Sequence, residues 1–149
     1  ADAAFFALDP NTGVLTFVSP RDFEAPTDAD ADNVYEVVVR ASDGTLSDDQ
    51  AIAVTVANVN EAPVIISNGG GPAAAFDVPE NGTAVTFVAA SDVDVPTTLV
   101  YSIAGGTDAA RFAIDALTGA LSFIAAPDYE APADADADNV YAVLVRASD

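Results

Sequence analysis

The sequence predicts an all-β fold of tandem Greek-key β-sandwich repeats, each about 106 residues long. Three observations carry that expectation. Apolar side chains alternate with polar ones at period 2 rather than 3.6. Short runs of this kind are separated by turn signals built on Gly, Pro, Asn and Asp, and no segment offers an amphipathic helix. The chain also matches itself: residues 2–43 and 108–149, offset by 106 positions, are identical at 28 of 42. A period that long is one whole domain, not one turn of a solenoid.

The elements follow in order. Phe6–Asp9 and Val14–Val18 read as a hairpin around Pro10-Asn11-Thr12-Gly13, with the Gly free to take the positive φ that closure needs. Tyr35–Ala41 puts Tyr35, Val37, Val39 and Ala41 on one face, and Ala51–Val56 alternates with β-branched residues on one side. Pro63 stands where the first edge strand of a next sandwich begins. Gly69-Gly70-Gly71 reads as a loop. Thr83–Val88, extending to Ala90, and Leu99–Ile103 are further strands. Phe112–Asp115 and Ala120–Ile124 repeat the hairpin around Ala116-Leu117-Thr118-Gly119, and Tyr141–Ala147 repeats the Tyr/Val face. Residues 1–57 are thus expected to be the C-terminal half of one repeat with four strands. Residues 58–63 are the linker, and 64–149 are the next repeat, with about six strands and lacking its last. The expectation is a window of a longer array, with unpaired edges on both halves.

Charge narrows the function classes. The chain carries 24 acids against 4 bases, a formal net charge of −20. Nineteen of the acids are Asp and five are Glu, and none of the bases is Lys. Asp is short and tolerates turns, so it suits loops and hard-cation sites. Half the residues are apolar, 51%, so this is not a disordered acidic tail. The folded state must tolerate strong self-repulsion or neutralise it with cations. Nucleic acid is excluded as a partner because phosphates need Lys and Arg. With no Cys and no His, disulfides and thiolate or imidazole zinc sites are excluded as well. No apolar run approaches the roughly 20 residues of a membrane span.

The acids sit at strand ends and recur in register: Asp22/Glu24, Asp28/Asp30/Asp32/Asn33 and Asp43 return as Asp128/Glu130, Asp134/Asp136/Asp138/Asn139 and Asp149. Carboxylates gathered at one pole of a sandwich repel unless a cation joins them, and calcium accepts six to eight oxygens in flexible geometry. With these residues goes an ordered motif set. It comprises Pro79-Glu80-Asn81, Ala90-Ser91-Asp92-Val93-Asp94, Tyr101-Ser102-Ile103 and Phe112-x-Ile114-Asp115-x-x-Thr118-Gly119-x-Leu121. Asp128-Tyr129-Glu130, Tyr141-x-Val143-x-Val145-x-Ala147-x-Asp149 and the linker Asn58–Pro63 complete it. Over essentially all of 1–149 the chain resembles the cadherin family, specifically cadherin-like (immunoglobulin-like) tandem repeats of large bacterial surface proteins.

That resemblance implies calcium between consecutive domains. The complete junction would use Asp22 and Glu24 from the first repeat and Asn58, Asn60 and Glu61 from the linker. Asp92, Asp94 and Asp149 would come from the second repeat. Glu80, Asp128 and Glu130 would belong to the next junction downstream, and Asp43 to the one upstream. The linker is one residue shorter than the family pattern, and Asn58 stands where Asp is usual. Both departures imply fewer or weaker ions than at a vertebrate junction. The implied function is a calcium-binding structural and adhesive module of an extracellular repeat protein, in adhesion, biofilm or a surface fibre. Its partners would be neighbouring repeats of the same chain and homotypic chains in a fibre, with no membrane insertion. A second reading is a segment of a self-assembled extracellular filament, in which neighbouring segments complete each other's missing strands.

Asp28-x-Asp30-x-Asp32-Asn33 and Asp134-x-Asp136-x-Asp138-Asn139 have the D-x-D-x-D spacing of calcium loops, with Asn where such loops place Gly. The downstream bidentate Glu is missing and a strand follows, so the match covers only the first half of that motif. The alternative is a solvated, turn-forming insertion. Asn81-Gly82-Thr83 fits a glycosylation acceptor but overlaps the Glu80-Asn81 motif. A glycosidase carboxylate pair at Asp22/Glu24 or Asp128/Glu130 is rejected. The pair is duplicated, Trp is absent, and clusters of companions do not maintain one raised-pKa acid. Halophilic adaptation would spread acids over strand faces rather than group them at strand ends.

Overall fold

The computed structural model describes residues 2–149. It is all-β, with eleven strands and three single-turn 3₁₀ segments among the described residues. The chain divides into two compact units, one ending at Asn60 and one spanning Glu61–Asp149. The division falls inside segment 58–63.

In the first unit the aromatic and β-branched runs become four strands. β1 (Phe6–Leu8) and β2 (Leu15–Phe17) pair antiparallel with Phe6 opposite Phe17. The turn between them closes with Gly13 at φ +72°, the left-handed region that Gly enters without a Cβ penalty. β3 (Val34–Ser42) and β4 (Ser47–Thr55) form a nine-residue antiparallel ladder with Tyr35 opposite Val54. Period 2 sets the faces of β3: Tyr35 and Val37 are buried while Glu36 and Val38 are exposed. Tyr35 packs edge-on against Phe5 at 5.4 Å and Phe17 at 5.3 Å, and Phe17 stacks on Phe6 at 4.7 Å.

The second unit holds β5 (Val64–Ile65), β6 (Ala84–Phe87), β7 (Ala90–Ser91), β8 (Val100–Gly105), β9 (Phe112–Ile114), β10 (Ala120–Phe123) and β11 (Leu144–Ser148). β6, β10 and β9 form one sheet in that order; β11 pairs with β8 and β5 with β7. The run expected as a single strand over 83–90 is divided because it serves two ladders. Val88 donates its N–H to Gly119 on the β10 side, whereas the Ala89 carbonyl accepts from Ile66 beside β5. The predicted strand 141–147 is observed as Leu144–Ser148. Tyr141–Val143 lack, among the described residues, the ladder partner that β4 supplies to Tyr35–Val37 in the first unit.

Phe112, Leu121 and Phe123 form the buried centre of this unit, with Val85, Ile103, Tyr141 and Val145 packed against it. Phe123 stacks on Phe112 at 4.6 Å and meets Tyr141 edge-on at 5.1 Å. The trio Phe6, Phe17 and Tyr35 is therefore rebuilt as Phe112, Phe123 and Tyr141. The repeated sequence is repeated packing.

Candidate metal centres

The strands deliver their acids to loops. After β10, Glu130 donates its N–H to Asp128 Oδ1 at 3.1 Å, a local turn that sets both carboxylates on one side. Tyr129, between them, donates its N–H to Glu80 Oε2 at 3.1 Å. The Asn81 N–H donates to the Pro127 carbonyl at 3.0 Å. Two segments almost fifty residues apart are thereby stitched together. Glu80, Asp128 and Glu130 each bring a carboxylate oxygen within 4.8 Å of the others, all three exposed. The equivalent turn follows β2 in the first unit, where Glu24 donates to Asp22 Oδ1 at 3.1 Å.

Asp92 and Asp94 follow β7. Asp94 donates its N–H to Asp92 Oδ1 at 2.9 Å, and Glu61 donates its N–H to Asp94 Oδ2 at 2.8 Å. The start of the second unit is thus tied to the Asp-x-Asp segment. Asp92 Oδ2 is enclosed and has no hydrogen-bond partner. An enclosed carboxylate oxygen without a donor is costly unless a cation reaches it. Asn58 and Asn60 follow β4 in the first unit, and Asp149 follows β11 in the second. Asp43 closes the β3–β4 turn, with Oδ1 accepting from Leu46 at 2.7 Å and Thr45 at 2.8 Å. Those two N–H groups, Leu46 first, hold its carboxyl below the ordinary range.

The Asp-x-Asp-x-Asp-Asn loops are built alike. Asp28 Oδ2 accepts from Asp32 N–H at 2.8 Å, and Asp134 Oδ2 accepts from Asp138 N–H at 2.8 Å. Asn33 and Asn139 each take φ 65°, the left-handed conformation expected of them. Ala31 at φ 58° and Ala137 at φ 61° join them, which the sequence did not announce. Carboxylate oxygens of Asp28, Asp30 and Asp32 lie within 4.8 Å of one another, as do those of Asp134, Asp136 and Asp138. Burial pushes the Asp28 and Asp134 carboxyls up, but the loop N–H groups outweigh it and hold both below the ordinary range. Asp136 is pushed up, first by the charge of Asp138 and then by burial.

Two residues escaped the sequence reading. Asp2 and Asp108 are buried. Asp108 Oδ1 accepts from Ala135 in the loop at 2.8 Å, and Oδ2 accepts from Ala142 in the following segment at 2.9 Å. Asp2 does the same with Ala29 at 3.0 Å and Glu36 at 2.9 Å. The N–H of Ala142 is the first cause, ahead of burial, and Asp108 is held below the ordinary range. The available signal was their identity across the two copies in a stretch with no acidic neighbours. Such a carboxylate serves the backbone rather than an ion.

No protein-family model matches the chain. Over 101 residues, 66% of this chain, it is 32% identical to human protocadherin-23, of which it spans 3%. Among solved structures it is similar to human protocadherin-24 EC1-2, with a TM-score of 0.57 and 24% identity over 99% of this chain and 66% of that one. It is also similar to Drosophila N-cadherin EC1-4, with a TM-score of 0.62 and 18% identity over 96% of this chain and 34% of that one. The fold is therefore a cadherin-like β-sandwich.

Proposed function

We propose that this chain is a calcium-binding structural and adhesive module of a large extracellular bacterial repeat protein, in which calcium stiffens the junction between consecutive repeats into a rod. The observation that carries the reading is the convergence of Glu80, Asp128 and Glu130 within 4.8 Å from two distant segments. At a formal net charge of −20, a gathering of carboxylates without Lys or Arg among them favours a cation. The enclosed, partnerless Asp92 Oδ2 points the same way. The donor set is oxygen only, which fits a hard divalent ion with many ligands and disfavours zinc.

Asp22, Glu24, Asn58, Asn60, Glu61, Asp92, Asp94 and Asp149 would hold the ions of the junction within this chain. Glu80, Asp128 and Glu130 would serve the next one. Asp43 would serve the preceding one through Oδ2, since Oδ1 is taken by the β3–β4 turn. A bound ion supplies charge neutralisation and crosslinking, not chemistry, so the module acts by holding shape and is not an enzyme. The likeness to extracellular cadherin segments supports a place outside the cell, and among the described residues no helix is long and apolar enough to cross a membrane.

Thermal unfolding of the metal-free chain tests this. Calcium chloride should raise the midpoint by many degrees, and EGTA should reverse the rise. Asp92→Ala/Asp94→Ala should lose most of the calcium-dependent increment while the second unit stays folded by circular dichroism. An unfolding curve indifferent to calcium would remove the reading.

A further inference from the structure

The Asp28–Asn33 loop holds an enclosed acceptor problem that the junction does not address. Asp28 is 7% exposed and Asn33 9%, and both Asp28 Oδ1 and Asn33 Oδ1 are enclosed without any hydrogen-bond partner. Each side chain has its other end committed. Asp28 Oδ2 accepts from Asp32 N–H at 2.8 Å, and Asn33 Nδ2 donates to the Phe23 carbonyl at 2.9 Å. The Asn33 N–H helps hold the Asp28 charge, and no donor meets hydrogen-bond geometry at Asp28 Oδ1. In the second copy the matching N–H of Asn139 donates to Asp134 Oδ1 at 3.3 Å, so that oxygen is partnered there. Asp28 thus belongs to a cluster of three carboxylates within 4.8 Å of one another, and its Oδ1 has no hydrogen-bond partner. A buried anionic oxygen without a hydrogen-bond partner is costly unless a cation reaches it.

We propose that Asp28–Asn33 is a self-contained divalent-cation loop, complete within one repeat and distinct from the junction between repeats, and that Asp134–Asn139, identical in sequence and with the same gathering of three carboxylates, is its counterpart. The ligands are carboxylates of Asp28, Asp30 and Asp32, with Asn33 Oδ1 as a neutral oxygen, and their counterparts Asp134, Asp136, Asp138 and Asn139. Exposed Asp30 and Asp32 leave the loop open to solvent, so water fills the remaining positions. No bidentate Glu completes the set, which places affinity for calcium at about 10⁻⁴–10⁻³ M, the range of extracellular modules.

The loop ion has a structural consequence. Asn33 holds the carbonyl of Phe23, which lies between Asp22 and Glu24. Asn139 holds that of Tyr129 at 3.1 Å, between Asp128 and Glu130. An ion that fixes the Asn therefore fixes the backbone presenting the Asp-x-Glu pair. The inference does not rest on the junction reading, since neither loop needs a residue from the other unit.

The test is calorimetric titration of calcium chloride into the intact, chelator-treated chain, with backbone amide shifts followed by NMR. Wild type should show shifts centred on 28–34 and 134–140. Asp30→Ala/Asp136→Ala, which changes exposed residues, should take up two fewer ions per chain and lose those shifts. Asp28→Asn/Asp134→Asn, isosteric at the buried position, should weaken uptake at the loops at least tenfold. Asp92→Ala/Asp94→Ala should leave the loop shifts in place. An Asp30→Ala/Asp136→Ala chain that binds as many ions as wild type overturns the proposal. So do loop amides that stay still on adding calcium, or loop shifts abolished by Asp92→Ala/Asp94→Ala. Failure of the junction reading alone would leave the loop shifts intact, and failure of the loop alone would leave the junction increment intact.

Discussion

Gly119 and Gly13 occupy the same place in the two hairpins, at φ +70° and +72°, yet their surroundings differ. A Cβ on Gly119 would stand 2.1 Å from the Val88 carbonyl oxygen, whereas nothing lies within 4 Å of one on Gly13. Ala in the left-handed region costs about 1–2 kcal/mol by itself. Gly13→Ala should therefore lose about that much in urea unfolding. Gly119→Ala should lose more, because a backbone oxygen must move and the Val88 N–H to Gly119 carbonyl bond of 2.9 Å goes with it. The same hairpins carry Asp9 and Asp115. Asn11 N–H and then Thr12 N–H lower the Asp9 carboxyl, and Thr118 N–H followed by Leu117 N–H lowers Asp115. Their contribution to stability is fully present above the unfolded value of 3.8 and is lost as pH falls through the lower folded value. The Asp9→Asn/Asp115→Asn chain should accordingly lose less stability than wild type on acidification below about pH 3.8, measured by unfolding midpoints across that window. A natural double exchange also separates the copies. Arg21 lies over Phe5, Phe17 and Tyr35, its carbon 5.1 Å from the Phe5 centroid. The second repeat has Arg111 in place of Phe5 and Pro127 in place of Arg21.

Strands and loops divide the labour. The aromatic trio in each unit forms because hairpin and Tyr strand bring one face each. Phe123→Ala should cost about 3–5 kcal/mol, read as a fall in the second unit's denaturant midpoint. Asp108 is the strut between the acidic loop and the segment at Ala142. Asp108→Ala leaves the N–H groups of Ala135 and Ala142 without their acceptor and should lower the unfolding temperature more than Asp136→Ala does. Most of this was legible in advance. Period 2 found the strands, and the Gly turns found the hairpins. The motifs carrying Glu80, Asp128 and Glu130 are readable in the sequence, and their carboxylate oxygens lie within 4.8 Å of one another. What pattern could not show was the run 83–90 passing from one ladder to another, because alternation does not say which strand lies alongside. Nor could it show the role of Asp108, whose partners stand 27 and 34 residues away.

Across the whole chain, 24 acids against 4 bases set the energetic problem. General screening and site binding predict different behaviour. Screening weakens repulsion between exposed charges over about 8–10 Å whatever the salt. Ion sites at Glu80/Asp128/Glu130 and the loops, as proposed, would respond to calcium itself. Sodium chloride at matched ionic strength should therefore raise the unfolding temperature only modestly, and calcium chloride markedly. Equal effects of the two salts would favour a halophilic surface over calcium-linked architecture.

Read alone, the residues settle the strand class, the 106-residue period and which acids recur with it. These are properties of local alternation, turn chemistry and self-similarity, all carried by neighbours in the chain. Folding adds what depends on distance through space. It draws Glu80 to Asp128 and Glu130, and it encloses Asp28 Oδ1 and Asp92 Oδ2 without a hydrogen-bond partner. It also turns Asp2 and Asp108 inward to hold the loops. Sequence can place a carboxylate at a strand end, but whether that oxygen meets water, an N–H or another carboxylate is set by the packing of segments remote in the chain.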